Sequence, residues 1–483
     1  MQIYKNFLNK TGGREIFIEK TKIMKNIKLF ETVSDYTEAR GSEYIEPWVS
    51  YVRENEQVNY NKSEYEKLLE TPLTFEITGD GNIVWVTTRI SFVKTIEYKK
   101  NSGEWVSIRA TTGTGVSISV VSGDTVQFRG NNATYYDGEN DYFNSFCGTT
   151  AQFNVYGNIM SLINSTNFAS LTTFTNSYNF AELFSNCTGL TSAGKLILPA
   201  TTLRSSSYQG MFRHCINLIT IPELPATTLA NGCYTSMFVG CTSLTKAPQL
   251  PATTLVPNCY YDMFRDCTSL TTAPELPVET LANWCYYNMF HGCTSLTIAP
   301  SLPATTLATY CYVAMFAGCT GLTSAPELPA MTLAGGCYQS MFNGCTSLTT
   351  APELPAETLA DNCYISMFQN CTSLTSAPEL PATTLTRYCY NSMFNGCTSL
   401  TTAPQLPATT LAQACYQTMF RGCTNLNYIK CLATDISASN SHTEWVSGVQ
   451  TTSGTFVKAA GITTATWGRG EHGIPFNWTV QDA

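Results

Sequence analysis

Residues 341–366 read MFNGCTSLTTAPELPAETLADNCYIS, and residues 367–392 read MFQNCTSLTSAPELPATTLTRYCYNS. They are one phrase written twice, and the phrase decides the fold. Met-Phe recurs at Met211, Met237, Met263, Met289, Met315, Met341, Met367, Met393 and Met419, each 26 residues after the last. A degenerate copy starts at Leu183, 28 residues before Met211, its extra length lying in AGKLILPATTL where later copies have APELPATTL. This gives ten units over residues 183–431. A module this small cannot bury its own apolar side, so the copies must stack and share one core.

Within a unit, the spacing predicts a helix of about 11 residues from the second Thr onward. Thr228 is the N-cap, and Leu229, Cys233 and Met237 follow at i, i+4 and i+8, with Tyr234 and Phe238 beside them. The third residue after Met is Gly240, Asp266, Gly292, Gly318, Gly344, Asn370, Gly396 and Gly422, types that accept a left-handed C-cap. Beyond it, Leu244, Ala247 and Leu250 suit a short strand, and Pro248 and Pro251 keep that segment from becoming helical. One helix and one strand per unit predict an α/β solenoid with a ribbon of parallel strands, roughly 45–50 Å long at about 4.8 Å per strand.

The repeated phrase resembles that of the BspA-like leucine-rich-repeat proteins, whose units carry the same "F-x-G-C-x-S-L … P … L". The resemblance covers about half the chain. It implies a right-handed α/β solenoid and a role in adhesion or recognition at cell surfaces, and it names no ligand. Outside the repeats, EPWVSY (46–51) with VNYN (58–61), GDTVQFRGNNATY (123–135) and GIPFNWTVQ (473–481) look like proteins of Bacteroides-type bacteria and their phages, in which an attachment segment and a β-domain precede such repeats. That likeness implies a virion or surface display protein.

Before the repeats, residues 1–70 read as an N-terminal attachment segment. Residues 1–30 hold seven basic side chains against two acidic ones, and residues 31–80 reverse the sign with twelve acidic against four basic. Such runs suit a solvated face or a segment docking into other virion proteins. Tyr44–Lys62, with aromatics around Pro47, suits an extended strand. Residues 71–156 carry seven alternating runs, LTFEI, NIVWVTT, KTIEYKK, EWVSIRA, GVSISVV, DTVQFRG and AQFNVYG, separated by turn residues. They predict an all-β sandwich with Trp85 and Trp105 in its core. Residues 157–182 are expected to cap the first repeat, and residues 432–483 to cap the last, with Trp445, Trp467, Phe476 and Trp478 as packing residues.

Sixteen of the 20 cysteines fall in eight in-phase pairs, from Cys233 and Cys241 to Cys415 and Cys423. Cys187 and Cys215 stand in the second column while Asn179 and Ser207 occupy the first, so the second Cys does without a partner. We read the columns as buried free thiols, with bridges inside a repeat as the open alternative. Zinc would need Cys pairs two to four residues apart, unlike this spacing.

Lys+Arg 27 against Asp+Glu 35 gives a net charge of −8, which excludes a general nucleic-acid-binding surface. Only 13% of residues are charged, against about 25% in average soluble proteins, so Thr, Ser, Asn, Pro and Gly make the surface, as in extended extracellular or virion proteins. No apolar run reaches the ~18 residues of a membrane-spanning helix. The N-terminus also lacks a secretory signal, so a virion protein, assembled in the host cytoplasm, is expected ahead of a bacterial cell-surface adhesin. The repeat acids Glu223, Glu275, Glu327, Glu353 and Glu379 hold one position in different copies, a ladder rather than a catalytic pair. The repeat Ser residues have no His in matching positions. No enzyme activity, cofactor or metal is expected.

Recognition is more legible, because three columns vary while the core is constant. Five residues before Met stand Gly232, Asn258, Trp284, Tyr310, Gly336, Asn362, Tyr388 and Ala414. Two before it stand Thr235, Tyr261, Tyr287, Val313, Gln339, Ile365, Asn391 and Gln417. One past the Phe stand Val239, Arg265, His291, Ala317, Asn343, Gln369, Asn395 and Arg421. On a helix the first two columns adjoin, so Tyr261, Trp284, Tyr287 and Tyr310 are expected to cluster. With Tyr388 and Arg265 they are the expected binding residues for a host-surface glycan or protein, unless the rings are partly buried between neighbouring helices. The resulting expectation is a non-enzymatic phage fibre or decoration protein, with a cell-surface adhesin as the alternative. No long heptad pattern fixes an oligomeric symmetry, and a homo-oligomer stays open.

Overall fold

The computed structural model describes residues 62–449 and 452–483. Residues 1–61, which hold nearly all of the expected attachment segment, lie outside the described residues. The chain divides into two units at Thr71. The described end of the first is α1 (Lys62–Glu70), with Glu64 in its first turn and Lys67 in its last, the charges a helix dipole favours at those ends.

The second unit opens with nine strands: β1 (Leu73–Gly79), β2 (Gly81–Thr87), β3 (Thr95–Lys100), β4 (Val106–Arg109), β5 (Val116–Val120), β6 (Thr125–Gly130), β7 (Tyr136–Asp137), β8 (Tyr142–Ser145) and β9 (Gln152–Asn158). Each of the seven quoted runs overlaps one of them. Alternation drives them: along β6, Val126, Phe128 and Gly130 are buried and their neighbours half-buried. One sheet runs β5-β2-β8-β7. The other runs β10-β9-β1-β6-β3-β4, and β10 (Leu190–Ile197) comes from the first repeat. It lies parallel to β9 on one side and bridges Thr220 of the next repeat through Ser192 on the other. The β-domain therefore hands its sheet on to the repeats, and no barrel closes. Trp85 is fully buried, whereas Trp105 is half-buried beneath the Arg129 guanidinium, 4.1 Å from its ring centre.

The repeats contain no helix, which overturns the expected α/β unit. The segment read as helical is a run of overlapping tight turns. In the Met341 copy, the N–H groups of Cys337, Gln339, Met341, Asn343 and Cys345 each donate to the carbonyl three residues back. The alternate N–H groups of Gly336, Tyr338, Ser340, Phe342 and Gly344 donate instead to carbonyls 25 residues ahead, in the next copy. Every fourth residue takes positive φ: Gly336 at 60°, Ser340 at 55° and Gly344 at 75°. A helix cannot continue through such a residue, and here half the amides find partners between copies instead of within one. The strand ribbon also thins to isolated parallel bridges such as Lys246↔Thr272 and Thr350↔Ser376, because the flanking prolines offer no N–H for a longer ladder.

Four residues per repeating turn put Cys337, Tyr338, Met341, Phe342 and Cys345 on the inside, all at most 1% exposed. Along the stack each type meets its own kind. Phe212, Phe238 and Phe264 lie parallel with centres 5.6 Å apart, and Tyr234, Tyr260 and Tyr286 follow suit at 5.9 and 6.0 Å. At the N-terminal end Phe184 stacks on Phe146 of the β-domain, and Phe174 and Phe180 of residues 157–182 pack against Tyr208 of the next copy. At the other end the turn pattern runs once past Cys431, with positive φ at Asn440, Glu444 and Gly448, and buried Trp445 takes the Met register. Parallel strands β11 (Tyr428–Cys431), β12 (Thr455–Lys458) and β13 (Thr479–Asp482) and the one-turn α2 (Thr464–Trp467) finish the chain. Trp467 and Trp478 are buried, but Phe476 is 75% exposed and packs nothing closed, contrary to expectation. Its Pro-Phe-Asn turn faces outward, and Trp478 fills the inner place.

Candidate recognition patch

The first variable column is the left-handed position itself. Trp284 has φ 53°, Tyr310 56° and Tyr388 55°, where other copies use Gly232, Asn258, Gly336 and Asn362. Gly and Asn enter this region easily, whereas a bulky L-residue there costs roughly 1–2 kcal/mol. Three aromatic residues are thus held in a conformation that their side chains do not favour.

Two stacked pairs result. The Tyr261 and Tyr287 rings lie 4.6 Å apart at 4°, and those of Trp284 and Tyr310 lie 6.0 Å apart at 12°. The two columns remain neighbours without a helix, since the Tyr287 N–H points at the Trp284 carbonyl across one tight turn at 3.5 Å. Trp284 is 38% exposed, and Tyr261, Tyr287, Tyr310 and Tyr388 are half-buried. Burial raises the Tyr261 phenol above its ordinary pKa. Tyr388 lies four copies from Trp284 and stands apart from the pairs, with Arg387 over its ring at 5.8 Å.

Beside Tyr261 the third column contributes a charged network. Arg265 reaches Asp262 at 3.8 Å and Asp266 at 3.4 Å, and His291 Nδ1 lies 3.9 Å from Asp266. Asp262 was not singled out from the sequence and Asp266 was read only as a C-cap, although the signal was there: each is an acid in a left-handed column otherwise filled mostly by Ser, Asn and Gly. Burial pushes the Asp262 carboxyl above the usual range. Gly292 makes room for the Asp266 carboxylate, since a Cβ there would come 2.4 Å from its Oδ1.

A further aromatic was missed. Tyr178 occupies the first column of the degenerate copy at φ 58° and stacks on Tyr136 of the β-domain at 5.3 Å. The pair borders an open cleft of about 470 Å³ with Phe92, Asp137 and Glu139.

Rings with polar neighbours can hold a ligand that has both an apolar face and hydrogen-bonding groups. Among the described residues, no three His, Cys, Asp or Glu side chains are grouped to hold a metal, and no helix is long and apolar enough to cross a membrane. Comparison with curated proteins gives no match. The profile of the BspA type leucine rich repeat region matches in six copies, over residues 161–297 and 337–442. Those stretches make up half of the chain, which belongs to the BspA-type leucine-rich-repeat family.

Proposed function

We propose that the chain is a non-enzymatic recognition and attachment protein whose repeats present the Tyr261–Tyr310 region to a host-surface glycan or protein. The observation that carries this reading is the strained aromatic column. Trp284 and Tyr310 add nothing to the core that Gly or Asn would not, yet they occupy left-handed positions in adjacent copies beside a second ring pair. The family suggests a role in surface adhesion or recognition, which agrees with it.

The setting we propose is a phage fibre or decoration protein, docked to other virion proteins through residues 1–70. A bacterial cell-surface adhesin is the alternative. Mass spectrometry of purified particles, set beside surface proteolysis of intact bacteria, decides between them. Recovery with particles supports the fibre, and recovery only at the cell surface supports the adhesin. Absence from both sinks attachment altogether.

A further inference from the structure

The two ring pairs are out of step by one rung of the stack. Tyr261 and Tyr287 belong to the copies of Met263 and Met289, whereas Trp284 and Tyr310 belong to those of Met289 and Met315. Toward the C-terminus the second pair is closed, because Tyr310 lies against Gly336, where a Cβ would come 2.3 Å from Cε1. Toward the N-terminus the residue in register with Trp284 is Asn258, whose amide is directed to Asn231 Oδ1 of the preceding rung at 3.5 Å. On the side that Tyr310 does not cover, the place in register with Trp284 is thus held by a small, half-buried Asn, and Tyr261 stands one tight turn along from Asn258, its N–H on the Asn258 carbonyl at 3.3 Å. The stagger thus makes a notch with an aromatic wall, a polar floor and a phenol at its side.

We propose that this notch is a saccharide subsite taking one neutral pyranose residue of an oligosaccharide, a proposal that rests on the recognition reading above. The C–H face of the sugar stacks on the indole of Trp284, and its ring hydroxyls bond the Asn258 amide and the Tyr261 phenol. The sugar is neutral because the adjacent charges are engaged with one another: Arg265 pairs with both Asp262 and Asp266. Among the described residues beside the notch no cation is left over for a carboxylate or sulfate, since His291 also lies against Asp266, and two acids against one Arg repel an anion.

The test uses the full chain on an array of neutral and acidic oligosaccharides, followed by titration of the best neutral one. Trp284→Gly is the decisive variant, because Gly accepts φ 53° and the fold loses no core contact. We expect binding to a neutral pyranose oligosaccharide, weakened about tenfold or more by Trp284→Gly and unchanged by Asn362→Gly at the same left-handed column, with the melting temperature not lowered in either. An array on which only acidic sugars or none bind overturns the proposal, as does neutral-sugar binding that survives Trp284→Gly. Attachment to cells with a blank array makes the ligand a protein and leaves the recognition reading standing, whereas failure of both removes that reading too.

Discussion

Ten thiols of the second column, from Cys187 to Cys423, donate to the carbonyl of a Phe in the preceding copy at 3.0–3.2 Å, or for Cys187 to Phe146 of the β-domain. That carbonyl already accepts the N–H that closes its own turn, as Phe316 does from Cys319, so each thiol takes a second lone pair that a larger or purely apolar side chain would leave unused. All twenty cysteines are free, and nineteen are buried. The free-thiol reading was available in the sequence because Asn179 and Ser207 stand opposite unpaired second-column cysteines; the acceptor was not, since it belongs to another copy. Burial pushes thiols such as Cys233, Cys363 and Cys423 up to about 12. At about pH 8 we expect iodoacetamide to label Cys147 slowly and the buried thiols not at all, with all twenty modified after unfolding, as counted by intact mass. Labelling of repeat thiols in the folded chain would contradict the burial.

At the scale of the element, the turn run was misread because apolar residues at i, i+4 and i+8 fit a helix only in a short window. A helix turns 100° per residue, so a stripe of strict period four drifts by about 40° each step. The pairs Cys337-Tyr338 and Met341-Phe342, with Cys345, do not drift at all. The corrective signal was legible: Gly, Asn, Asp or Ser at most of the left-handed places, one column of which was read as a C-cap. The grouping of Tyr261, Trp284, Tyr287 and Tyr310 survived the misreading because residues three apart adjoin in a tight turn as they do in a helix. Two substitutions separate the roles of these positions. Gly344→Val places a β-branched residue at φ 75° and is expected to lower stability by about 1–2 kcal/mol in urea titration. Tyr388→Asn, which restores the residue of the neighbouring copy at Asn362, is expected to leave stability equal or higher. A loss from the second substitution would mean that Tyr388 supports the fold.

Across the whole second unit, one core runs from Phe75 in the β-domain to Trp478 near the end. The seven strand runs could be read from alternation, but the passage of β9 into β10 could not, because residues 152–158 carry no trace of the repeated phrase. So many neutral thiols in one core couple its stability to pH. Their folded pKa values lie above the unfolded one, so the unfolded chain sheds protons first as pH rises. Stability is therefore full below about pH 8.5 and falls progressively from there toward pH 12. A urea midpoint that stays flat between about pH 8 and pH 11 would refute this, since even a few such thiols suffice to move it. From Ser206 onward the rungs also bond in a single register, each alternate amide reaching 25 residues forward. A whole module can therefore be gained or lost in the middle while both ends keep their partners. Reach becomes a matter of copy number, and a lineage can lengthen or shorten the molecule by recombination between near-identical stretches without redesigning anything at its tips.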